Sequence, residues 1–186
     1  MRSVLIILFL LPAMQAQLQP AGDSENDLLP WNEFYELQWY DFQGEPDENR
    51  MGDAGAAVHI KAKPFLVKKK IKYDVTAFFN RSKSWARDHS PSLLAHEQLH
   101  FDIAELYARK IRKKIKEMND EGVNDIKVYN AAIHELLLES NAADERYDMQ
   151  TLHGAMSGKQ AQWAEEVKSD LEKLKHFKKT RWVIKR

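Results

Sequence analysis

Cysteine is absent from the 186 residues of this chain. No disulfide can staple the fold, so a hydrophobic core, with or without a bound metal, has to hold it together. A lipid anchor attached through an N-terminal cysteine is excluded by the same absence. Charge of one sign is also lacking: 28 Lys and Arg balance 28 Asp and Glu, for a formal net charge of +0. Nothing global therefore points to nucleic acid as a partner. Long apolar runs are missing too. The best candidate, Val4 to Leu11, is far shorter than the ~20 residues a membrane-spanning helix needs.

What is present is an ordinary globular balance, 44% hydrophobic and 30% charged, enough to build a core. The first residues read as an export signal. Arg2 supplies the positive start, Val4 to Leu11 the apolar stretch, and Pro12-Ala13-Met14-Gln15-Ala16 a small-residue end. Cleavage is expected after Ala16, giving a periplasmic or secreted protein with no membrane span in the mature chain. Residues 17–34, with Pro20, Gly22 and Pro30, read as a flexible lead-in. Residues 35–186 read as one domain.

Within that domain the periodicity changes from two to 3.6. Leu37 to Phe42, Ala56 to Ala62 and Ile71 to Phe79 read as three strands of a small antiparallel sheet, with Gly44, Pro46 and Pro64 marking turns. Three helices are expected to follow. The first opens at Ser90-Pro91, a side-chain cap followed by proline in the first turn. It carries an inward stripe of Leu93, His96, His100, Ile103, Tyr107, Ile111, Ile115 and Met118. The second begins near Asn124 or Asp125, and the third at Ser157, where Gln160 completes the pattern of a capping box. The fold class is α+β. The basic tail from Lys173 and the lysines at 61, 63, 68, 69, 70 and 72 read as solvated surface.

The chemistry concentrates in His96-Glu97-Gln98-Leu99-His100. Residues four apart on a helix share a face, so both imidazoles can reach one zinc ion at about 2.0–2.1 Å. Glu97, beside them, is free of the metal and placed to accept a proton from activated water. Both histidines lie on the inward stripe, where an ordinary helix has aliphatics; burying them without partners is costly, and a metal removes the conflict. Asp102 projects away from this face and reads as a surface or supporting group. His59, His89, His134 and His176 read as surface or structural, and Trp39, Trp85, Trp163 and Tyr147 as core.

A catalytic zinc needs a third protein ligand and an open position. The candidates are Asp148 and His153, with Gly154 ending the second helix so that His153 can curl back. Asp148 is the favoured ligand and His153 the favoured electrophile for a developing oxyanion. The alternatives are His153 as ligand, or both residues as helix caps.

Ser84-Trp85, the run Leu94 to Glu105 around the two histidines, Tyr147-Asp148, Thr151, His153-Gly154, Gln160 and Trp163 together resemble a family of bacterial secreted zinc-dependent proteases, domain of unknown function 922. The likeness runs from about Leu37 to Leu174. It implies a zincin-like fold with the metal-binding helix as the first long helix, and it suggests Ile71 to Phe79 as an edge strand for an extended peptide. The expected function is a zinc peptidase with one Zn2+ and a peptide or protein substrate. The alternative is a non-catalytic envelope protein with a structural zinc. No oligomer interface is legible.

Overall fold

The computed structural model describes residues 24–46, 52–68 and 70–179. The expected signal segment, residues 1–16, lies outside them. The architecture is α+β. Five strands, β1 (Leu28–Pro30), β2 (Ala54–Gly55), β3 (Val58–Val67), β4 (Lys70–Asn80) and β5 (Trp85–Ala86), precede three helices, α1 (Pro91–Asp120), α2 (Ile126–Thr151) and α3 (Ser157–Lys173). One antiparallel sheet has the order β1-β4-β3, and β2 pairs with β5 in a second. Among the described residues no helix is long and apolar enough to cross a membrane.

The alternation read in Ile71 to Phe79 is the inward face of β4. Val75, Ala77 and Phe79 are buried there against Phe101, Ala104, Ala108 and Ile111 of α1. β3 lies across β4 with Ile60 opposite Ala77 and Ala62 opposite Val75. A second cluster, Leu99, Ile103, Tyr107, Ala143, Tyr147 and Val167, joins α1 to α2 and α3. α1 is thus covered on both sides, by the sheet and by the helix pair. Its start is as expected: Ser90 Oγ accepts from the Leu93 N–H at 3.4 Å, with Pro91 in the first turn.

Five expectations are corrected. Leu37 to Phe42 is not a strand. Its aromatics pack, but Asp41 is fully buried and accepts from the Gln38 N–H, the Tyr35 hydroxyl and Arg81 Nε, which folds the chain into a tight 3-10 turn at Trp39–Asp41. Part of the supposed flexible lead-in is ordered. Leu28–Pro30 pairs with Phe78, Phe79 and Asn80, and Trp31 Nε1 donates to Asp102 at 2.7 Å. That contact makes Asp102 an anchor for the incoming chain rather than a surface group. β1 pairs with Phe78 and Phe79 at the end of Ile71 to Phe79, so that end of the suggested peptide-bearing edge is already taken. Finally, α3 begins after Met156 with no side-chain cap, and Gln160 is used elsewhere.

Candidate metal centre

α1 places His96, Glu97 and His100 in its second and third turns, all less than a tenth exposed. α2 crosses them with Asp144 and Asp148, again one turn apart. The two imidazoles and one carboxylate converge. His96 Nε2 lies 3.1 Å from Asp148 Oδ1, His100 Nε2 lies 3.0 Å from the same oxygen, and the two Nε2 atoms are 3.2 Å apart. Among the described residues His96, His100 and Asp148 form a group able to hold a metal ion. Ligand atoms about 2.0–2.1 Å from a tetrahedral zinc are about 3.3 Å from one another, so this triangle has nearly the dimensions of one face of such a site. Two nitrogens and a carboxylate oxygen are also a donor set zinc accepts.

The second nitrogen of each ring is held by an oxygen. His100 Nδ1 is 2.6 Å from Asp144 Oδ1, and His96 Nδ1 is 3.2 Å from Gln160 Oε1. Such outer contacts fix which nitrogen carries the proton and aim the other at a metal. Gln160 Oε1 also accepts from the Tyr147 hydroxyl at 2.5 Å, and the Tyr147 ring stacks on His96 with centroids 4.7 Å apart. Burial pushes the Tyr147 phenol up, which keeps it a neutral donor. The loop after α2 closes over the same ring. Gly154, at φ +86°, approaches so closely that a Cβ there would lie 3.1 Å from His96 Cγ.

The two aspartates and the imidazoles stabilise one another's charged forms. Burial works against a charged His100, yet the hydrogen bonds to Asp144 and Asp148 outweigh it and raise the imidazole to about 10. Burial likewise opposes ionised Asp148, but His100 and His96 hold its carboxyl well below the usual range. Glu97 behaves differently: burial pushes its carboxyl up despite the pull of the two imidazoles and of the Ala56 N–H, which donates to Oε2 at 2.7 Å. A cleft of about 200 Å³ opens in front of these groups, lined by Gly52 to Ala56, Trp85 and Leu93 as well as by the acids and imidazoles.

Of the residues singled out from sequence, His96, His100 and Asp148 meet at one point and Glu97 stands next to them. His153 curls back after α2, in the left-handed conformation at φ 51°, with Nδ1 3.5 Å from Asp148 Oδ2 and its ring half-exposed at the cleft rim. Asp144 shares a helix edge with Asp148 and Gln160 belongs to the family-like pattern, but their contacts to the two imidazoles, and that of the Ala56 N–H to Glu97, were not read from the sequence. A signal for Asp144 existed, since it precedes Asp148 by one helical turn on the face that carries Tyr147.

Residues 34–154 match the family described as "Bacterial protein of unknown function (DUF922)". The match spans well over half of the chain and contains α1, α2 and the converging residues; the chain belongs to this family. No curated protein and no solved structure matches it.

Proposed function

We propose that the chain is a zinc-dependent peptidase with a zincin-like active site, exported from the cell. The observation that carries this reading is the single triangle formed by His96 Nε2, His100 Nε2 and Asp148 Oδ1, with buried Glu97 beside it and an open cleft before it. His96, His100 and Asp148 would hold the zinc. When bound, zinc supplies Lewis acidity: it lowers the pKa of water to about 7 and polarises a carbonyl.

The chain's own residues do the rest. Glu97 accepts the proton of the attacking water at Oε1, because Oε2 is engaged by the Ala56 N–H. The upward shift of its carboxyl by burial brings it nearer the working pH and makes it a better base. Asp144 and Gln160 keep the imidazole Nε2 atoms turned inward. His153, at the rim, donates to the oxygen that gains negative charge as the carbonyl is attacked. The backbone of Gly52 to Ala56, extended at Ala54–Gly55, lines the cleft and offers main-chain groups to an extended peptide.

A structural zinc without catalysis is the competing reading, and the proximity of His153 to Asp148 would serve it as a fourth ligand. Glu97→Gln separates the two. The peptidase reading expects full zinc content by metal analysis and cleavage of a peptide library reduced by about 10²–10⁴-fold. Wild-type protein loaded with zinc that cleaves nothing, or cleavage unaffected by the substitution, would overturn it.

A further inference from the structure

Along β3 burial gives way to exposure, from half-buried Val58–Ala62 to exposed Lys63–Val67, so the tip of the β3–β4 hairpin is unlike the rest of the sheet. Phe65, Leu66 and Val67 are 48%, 73% and 45% exposed, three consecutive apolar residues left in water. On the face turned away from α1, the pleat sets Lys61, Lys63, Phe65 and Val67 of β3 opposite Thr76, Asp74, Lys72 and Lys70 of β4. Lys68 occupies the turn at φ 49°, a conformation that favours asparagine or glycine. Asp74 supplies the acid of this face, and Lys179 Nζ takes it at 2.5 Å. Lys63, Lys68, Lys70 and Lys72 form no ion pair with a described carboxylate. In a chain of zero net charge, this is a local excess of cations around an apolar point.

We propose that this tip docks on a bilayer containing anionic phospholipid. Phe65, Leu66 and Val67 enter the boundary between headgroups and acyl chains, and Lys63, Lys68, Lys70 and Lys72 bind the headgroup phosphates. Charge complementarity alone would also suit a soluble polyanion. Such a partner, however, leaves Leu66 and Val67 in water, whereas a bilayer buries them. The hairpin also sets a distance. Ala56, whose N–H holds Glu97, lies about ten residues from the tip, and a strand rises about 3.3 Å per residue. Docking at the tip therefore holds the cleft roughly 30 Å from the membrane surface. This inference is independent of the chemistry proposed for the cleft.

The test is co-sedimentation with vesicles of mixed phosphatidylglycerol and phosphatidylcholine, and with phosphatidylcholine alone. The full chain and a chain starting at Gln17 are compared, because Val4 to Leu11 is itself apolar. Binding is expected only to the anionic vesicles. Phe65→Ser with Leu66→Ser should weaken it at least about tenfold, by removal of the buried apolar surface. Lys63→Gln with Lys72→Gln should weaken it about 25-fold, at roughly fivefold per lysine. High salt should act like the lysine pair. Circular dichroism checks that both double variants keep the wild-type fold. Failure to bind anionic vesicles, equal binding to neutral ones, or unchanged binding by folded variants would overturn the proposal. So would competition by heparin that the apolar double variant leaves intact, since that outcome marks a site for soluble polyanions.

Discussion

Two turns of α1 bury charge, and they do so in opposite ways. Around Glu105 every charged group finds its partner within the protein. Its carboxylate receives Arg109 Nε at 2.9 Å and Arg112 Nη2 at 3.0 Å. The surplus guanidinium N–H groups go to backbone carbonyls of Val75, Leu171 and Phe177. Around His96 and His100 the outer nitrogens are likewise held, but the inner ones converge with a carboxylate oxygen on a common point. The first network is closed and ties the sheet and the C-terminal segment to the helix. The second, on the function proposed above, is where a metal ion would be received. A buried polar cluster is informative by its unbalanced remainder more than by its size.

This contrast can be broken. Replacing Glu105 with Ala strands Arg109, which is only 4% exposed, and should cost about 3–5 kcal/mol in urea denaturation. Zinc content per folded molecule should stay unchanged; a loss of zinc would show that the two networks are one. Chelation should act on the other network alone. Removing zinc at a hundredfold excess over its Kd forfeits about 2.7 kcal/mol, so the wild-type Tm should fall on adding chelator while that of Asp148→Ala does not move. Asp144→Asn keeps the shape but weakens the hold on His100, and zinc affinity by competition titration should drop about 10–100-fold with the fold intact. Smallest is Gly154→Ala. Its positive φ alone costs about 1–2 kcal/mol, and the added methyl presses on His96, so both Tm and zinc affinity should decline modestly.

Much of this was legible in the sequence, for particular reasons. Ser90-Pro91 and the 3.6-residue stripe gave the start and the buried face of α1, because a cap and a period are local properties. His96, Glu97 and His100 were legible for the same reason. Asp148 was readable as a neighbour only through helix phase, without knowing how α2 crosses α1. Gln160 misled: its spacing from Ser157 fits a cap, yet its side chain is drawn to His96 and Tyr147, groups far away along the chain. Trp39 to Asp41 misled in the same manner. Aromatic content suggests a strand, but the conformation is decided by a buried carboxylate whose partner Arg81 is distant in sequence. The central place of β4 depended on the short β1, whose three residues end in Pro30 and carry no period at all.

The family match stops at residue 154, whereas the chain's own cohesion does not. α3 brings Gln160 to His96 and a backbone oxygen at Leu171 to Arg109, so a fragment trimmed at the homology boundary would leave an imidazole unsteadied and a guanidinium short of an acceptor. The segment shared with the family is thus smaller than the network it is tied into, and a truncation that respects that network keeps the chain beyond the third helix, through Phe177.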